Sequence, residues 1–130
     1  PGKSDALFSQ IDLMSSFASL TGQTIPAGEG PDSYNNLPVL LGKSRKDRSW
    51  LVEQSLNNRL SIIKGDWKYI EPGPGIRIMP ETGTETGNDP EPQLYNLRRD
   101  IGEKNNVARE NQSIVNELTE LLQEIRNSAE

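Results

Sequence analysis

The 130-residue sequence contains no cysteine and no histidine. Without thiolate or imidazole, it excludes a disulfide framework, a cysteine nucleophile, a serine–histidine–aspartate triad and the usual structural zinc sites. Aromatic residues make up only 5% and hydrophobic residues 32% of the chain, which is little for a domain that must bury its own core. No apolar run approaches the roughly 18 residues of a membrane-spanning helix. Cations are fewer than anions, 14 Lys and Arg against 19 Asp and Glu, for a net charge of −5. That balance argues against a nucleic-acid binder held by phosphate neutralisation. Chemical motifs are equally scarce. Gly73-Pro74-Gly75 does not extend to a dinucleotide or phosphate loop. Asp12, Asp32 and Asp89 stand singly, as caps or turn residues rather than as a calcium loop. No two carboxylates have a spacing that forces them together as a glycosidase pair. The opening Pro1-Gly2-Lys3 lacks a methionine and a signal-like apolar stretch, so the chain is expected to be cut from a longer polypeptide.

What is present divides into four stretches. Ile11, Met14, Phe17 and Ala18 recur at helical spacing, and Gly22 is placed to end that helix. Ser9 or Asp12 can cap its start. Ala6-Leu7-Phe8 reads either as a short buried strand, which is favoured, or as the first helical turn. From Gln23 to Asp47 the chain is loop-like, broken by a short helix that Pro38 can open. Lys43, Arg45, Lys46 and Arg48 form a basic cluster, read as a solvated turn. The third stretch is sheet. Ser49 to Gln54 and Arg59 to Lys64 are β-rich, Gly65-Asp66 centres a tight turn, and Trp67 to Ile70 alternates with period two. The segment 72–92 holds five of the nine prolines and four of the eleven glycines, and a loop of that length is usually functional or disordered. Within it only Ile76, Ile78 and Met79 can pair as a strand. Gln93 to Leu97 returns to strand pattern.

In the fourth stretch Asp100 and Glu103 have capping-box spacing and suit a single helical turn. A final helix starts at Asn111 or Ser113. Its apolar positions, Ile114, Val115, Leu118, Leu121, Leu122 and Ile125, form one stripe, which is expected to pack on the chain's own sheet. The expected fold is therefore α+β: an N-terminal helix, then a small antiparallel sheet of three to four strands covered by the C-terminal helix. If a covering domain normally lies beside the N-terminal helix, apolar surface is left exposed there and the chain can self-associate.

Three segments in this order resemble the C-terminal end of the sulfatase family, within the alkaline-phosphatase-like superfamily. Ser9-Gln10-Ile11-Asp12-Leu13-Met14, continuing to Leu20-Thr21-Gly22, is similar to S-x-x-D-L-x-P-T…L-x-G, with Ser15-Ser16 in place of Pro-Thr. Pro1-Gly2-Lys3 upstream and Pro38…Leu41-Gly42 further on also fit. Ile62-Ile63-Lys64-Gly65-Asp66-Trp67-Lys68-Tyr69-Ile70 is similar to I-R-x-G-D-W-K-L-I. Leu94-Tyr95-Asn96-Leu97, Asp100-Ile101-Gly102-Glu103 and Asn105-Asn106-Val107-Ala108 resemble L-Y-D-L-x-x-D-P-G-E-x-x-N-L-A, with Ile101 replacing proline.

The resemblance implies a parent enzyme that hydrolyses sulfate esters on a sulfated carbohydrate. Its formylglycine, its divalent metal (usually calcium) and its sulfate-gripping side chains would all lie in an upstream catalytic domain of the same chain. No catalytic or metal-binding residue is assigned to the present chain, which by itself is expected to be inert. Residues 1–47 correspond to the end of the large domain and 48–130 to the C-terminal subdomain, which borders the substrate cleft. Asn57, Asn58 and Arg59 are the candidate substrate-binding residues, Arg59 through a bidentate contact to a sulfate or carboxylate. The long 72–92 loop is the other candidate. Trp67 and Tyr69 are read as packing residues. Export to the periplasm or medium is inherited from the resemblance. Two further readings stay open: a related phosphodiesterase or phosphonate hydrolase, and a free-standing interaction module whose terminal helix docks a partner.

Overall fold

The computed structural model describes residues 4–44, 48–55 and 58–128. The chain forms two compact units, Pro1–Leu51 and Val52–Glu130. The sequence places the boundary between 47 and 48.

The first unit contains helix α1 (Asp12–Leu20) and the single turn α2 (Leu37–Leu40). Pro38 sits at the start of α2, where its missing N–H is no loss. The segment before α1 is not a strand. Residues 4–9 carry no regular structure, and among the described residues nothing pairs with Ala6-Leu7-Phe8 as a ladder requires. The expected apolar stripe of α1 exists, yet Ile11, Met14, Phe17 and Leu20 are exposed, while Asp12 and Ser16 are fully buried. The helix therefore turns its polar side inward.

The second unit is a four-stranded antiparallel meander with one helix. Its strands, β1 (Leu51–Gln54), β2 (Leu60–Lys64), β3 (Trp67–Ile70) and β4 (Gln93–Asn96), lie in sequence order across the sheet. Gly65, at φ +57°, makes the left-handed step that a two-residue hairpin turn needs. That turn fixes the register Lys64 opposite Trp67, Ile62 opposite Tyr69 and Tyr69 opposite Leu94. Cross-strand partners share a face, so Ile62, Tyr69 and Leu94 form one apolar row. Helix α3 (Gln112–Ser128) covers this row with Val115, Leu118 and Leu122. Ile62 and Leu94 are completely buried, and each contributes roughly 1.5–3 kcal/mol by leaving water. Lys64 to Glu117 (2.6 Å) and Arg126 to Glu71 (2.8 Å) tie α3 to the sheet rim.

The 72–92 loop contains one isolated bridge, Ile78 opposite Glu85. Its entry is clamped by Arg59, whose Nη1 donates to the Pro72 carbonyl at 2.9 Å. A Cβ on Gly73 would fall 1.7 Å from the Arg59 guanidinium, so only glycine leaves room for that contact. Residues 100–103 form the expected single hydrogen-bonded turn, but not a helical one, since Glu103 is left-handed. Asp100 Oδ2 accepts from the Lys104 and Asn105 backbone N–H groups (2.9 and 2.7 Å), the Glu103 N–H donates to the Asp100 carbonyl at 3.1 Å, and the Glu103 side chain goes to Lys68 instead of back to the Asp100 N–H.

Candidate functional site

Two polar constellations stand out, one in each unit. In the first unit Asp12 is a hub rather than a simple cap. Its carboxylate accepts from Ser9 N–H (3.1 Å), Tyr34 N–H (3.0 Å), Asn36 Nδ2 (3.0 Å) and Arg48 Nη1 (2.9 Å). The Asn36 N–H donates to Ser16 Oγ, and the Arg48 guanidinium lies 4.3 Å from the Tyr34 ring centroid. The reading of the basic cluster as a solvated turn fails at Arg48, which is buried because a charge this deep needs a partner and Asp12 supplies it. Arg45 and Lys46 lie outside the described residues. Each lone pair of Asp12 is occupied by the fold, so this cluster ties Tyr34, Asn36 and Arg48 to α1 and offers no open position to a ligand.

The second constellation covers the face of the sheet opposite α3. Ser61, Lys68, Ile70, Gln93 and Tyr95 alternate with the core row and therefore point to the other side. With the 72–92 loop and residues 102–106 they line an open cavity of ≈ 880 Å³, within the usual size of a small-molecule site. Lys68 crosses its floor. The ammonium bonds Glu103 at 3.0 Å and lies 3.3 Å from Glu53. Burial works against the Lys68 charge, but the Glu103 hydrogen bond and the charges of Glu53 and Glu103 outweigh it and raise its pKa above the ordinary value. Glu53 also accepts from Ser61 Oγ at 3.1 Å. Glu103 reaches Lys68 from a left-handed backbone conformation, φ +52°, which costs a non-glycine residue about 1–2 kcal/mol. The Asp100 carboxylate secures that turn, and the two backbone N–H groups lower its pKa. Tyr95 donates its hydroxyl to Gln93 Oε1 at 2.9 Å, and burial, then the Glu103 charge, raises its pKa.

The three candidate residues sort differently. Asn57 lies outside the described residues. Asn58, at φ +58°, accepts from Gln54 Nε2 (2.8 Å) and shapes the hairpin tip. Arg59 borders the cavity, with its guanidinium on Pro72 and 3.7 Å from Glu71. The 72–92 loop supplies Arg77, Ile78, Glu85 and Asn88 to the cavity wall. Lys68, Glu53 and Glu103 escaped the sequence reading. Their only local signal was a lysine alternating with aromatic residues on β3. Among the described residues no group of three or more Asp or Glu side chains stands close enough to hold a metal ion.

No family model matches the chain. It is 49% identical over 126 residues to an N-acetylgalactosamine-6-O-sulfatase of Bacteroides thetaiotaomicron, a match covering 97% of this chain and 25% of that protein. A solved sulfatase structure, described with the metabolism of multiple glycosaminoglycans by B. thetaiotaomicron, superposes with a TM-score of 0.88 at 49% identity, over 98% of this chain and 26% of that one.

The chain is a C-terminal sulfatase region. It spans about a quarter of the length of the relatives it matches. The sulfatase region also shares its fold with Ps i-CgsB, at a TM-score of 0.58 and 19% identity over 87% of this chain. The match at 49% identity favours a sulfatase over a phosphodiesterase or a free-standing interaction module.

Proposed function

We propose that the whole protein is a sulfuric ester hydrolase acting on sulfated glycans and that this region completes one wall of its substrate cleft. The observation that carries the reading is the 49% identity to an N-acetylgalactosamine-6-O-sulfatase along nearly the whole chain. In this reading the formylglycine and calcium belong to the upstream part of the polypeptide. The described residues offer no cluster that fits a metal, and the sequence has no C-x-P-x-R or S-x-P-x-R nucleophile motif. What the region's own residues do is hold the cleft wall rigid. Asp12 and Arg48 fix the loop that follows α1, and Arg59 fixes the entry of the 72–92 loop. Lys68 with Glu53 and Glu103 fixes the polar face of the sheet. Export to the periplasm or medium goes with this function, since large sulfated glycans are met outside the cell.

The test is turnover of 4-nitrophenyl sulfate and of 6-sulfated N-acetylgalactosamine by the full-length protein and by residues 1–130 alone. Sulfate release by the full-length protein and none by the 130-residue chain is the expected result. Release by the short chain, or none by the full-length protein on any sulfate ester, refutes the assignment.

A further inference from the structure

The cavity on the helix-free face of the sheet presents its charges unevenly. The Lys68 side chain is only 17% exposed, whereas its partners Glu53 and Glu103 are 46% and 30% exposed. An incoming group therefore meets carboxylate oxygens first, two of them around one recessed ammonium. Glu53 already accepts from Ser61 and Lys68, and Glu103 from Lys68. Each carboxylate has about four lone-pair sites, so both retain acceptor capacity. Arg59, the residue best suited to grip an anion, is already held by the Pro72 carbonyl and Glu71. A sulfate in this cavity would be repelled by the two carboxylates, and the Arg59 guanidinium that could answer it is only 17% exposed and has its Nη1 turned to the Pro72 carbonyl. Hydroxyl donors would be welcomed by the same carboxylates, through charge-assisted hydrogen bonds that are stronger than neutral ones. Ile70 and Ile78 add apolar surface to the lining, suited to the C–H face of a sugar ring. The cations that remain accessible, Arg77 and Lys104, are exposed and lie at the rim.

We propose that this cavity is a subsite for an uncharged sugar unit of an anionic glycan, with the sugar hydroxyls donating to Glu53 and Glu103. Neighbouring sulfated or carboxylated units pass Arg77 and Lys104 outside it. The proposal rests on the sulfatase reading above and deepens it: this region recognises the glycan through an unsulfated unit, and the bond that reacts is held elsewhere. The strained backbone at Glu103 fits such a role, because it puts a carboxylate where sheet geometry alone would not.

The experiment is methyl-detected NMR of the full-length protein labelled at isoleucine methyl groups, with Ile70 and Ile78 as reporters. Galactose and N-acetylgalactosamine are the neutral probes and sodium sulfate the anionic one. Both sugars are expected to shift the two methyls and saturate in the millimolar range, as weak single-sugar contacts do, while sulfate leaves them in place. Glu103→Gln, which keeps the shape and removes the charge, is expected to weaken sugar binding about fivefold to tenfold. Ile78→Trp, at a half-exposed position, fills the cavity and is expected to abolish the response of the remaining reporter, the Ile70 methyl. No shift with either sugar, an equal response to sulfate, or binding unaltered in both variants overturns the proposal. Turnover of 4-nitrophenyl sulfate and of 6-sulfated N-acetylgalactosamine by the same unmutated preparation tests the sulfatase reading separately, activity on either counting as activity. Activity without a sugar response sinks the subsite alone, and a sugar response without activity sinks the sulfatase reading alone.

Discussion

In the first unit the fully buried side chains are Asp12 and Ser16; in the second they are Ile62, Leu94 and Leu118. The surfaces are reversed as well. Helix α1 leaves Ile11, Met14, Phe17 and Leu20 exposed, while α3 turns Val115, Leu118 and Leu122 onto the sheet. The second unit follows the usual economy of a small domain, with an apolar row under an amphipathic helix. The first derives its order from directional hydrogen bonds to one carboxylate. Such a network specifies geometry well and tolerates the loss of a member poorly. Its outward apolar residues suit a surface that packs against further polypeptide, consistent with relatives four times as long.

The sharpest way to break the contrast is Asp12→Ala. Removing the carboxylate strands the buried Arg48 and orphans three further donors. A loss of about 3–5 kcal/mol is expected, read as collapse of amide-exchange protection in residues 33–41. Protection in β2 and β3 should survive, and its simultaneous loss would show that the two units unfold as one.

Leu118→Ala addresses the other side. It empties a position that is 2% exposed, and about 3 kcal/mol should be lost from the unfolding of the sheet and α3. If Leu118→Ala costs less than 1 kcal/mol, the second unit does not depend on its apolar row as described.

A third, smaller effect comes from pH. The folded pKa values of Lys68 and Tyr95 are both raised above their ordinary values of 10.5 and 10.0. Stability from these two groups is complete below about pH 10 and drains away as pH climbs through the folded values. An alkaline melt of the second unit should therefore steepen above pH 10, and Lys68→Met should flatten that arm. An unchanged alkaline arm in Lys68→Met would remove Lys68 as its source.

The smallest effect is expected at Phe17→Ser. This side chain is 53% exposed, so the change should stay within about 0.5 kcal/mol. Sedimentation should nevertheless show less self-association of the 130-residue chain. A large destabilisation would mean that α1 buries Phe17 after all.

Features set by near neighbours were legible from the sequence. The Lys64-Gly65-Asp66-Trp67 turn, the period-two strand after it and the stripe of α3 all follow from local backbone preference and side-chain spacing. The Asp12–Arg48 pair was not, because its partners stand 36 residues apart and each looks like an ordinary surface residue. The same holds for Glu103. Its capping-box spacing from Asp100 pointed to a helical turn, but Lys68, 35 residues away, captured its carboxylate. Ala6-Leu7-Phe8 was misread because apolar content alone does not provide a pairing strand. Of the candidate site, Arg59 and the 72–92 loop were singled out from sequence. The Lys68 floor was not, since a lysine within a strand carries no sign of which face will be roofed.

The contact between Arg59 and Gly73 also has an evolutionary reading. The guanidinium occupies the space that a Cβ at position 73 would need, so a side chain there would push Arg59 off the Pro72 carbonyl. Among homologues of this region the two positions should drift as a pair, with a side chain at 73 appearing only where 59 is short. A lineage that broke the pair would release the entry of the 72–92 loop, and with it one side of the cavity that the loop borders.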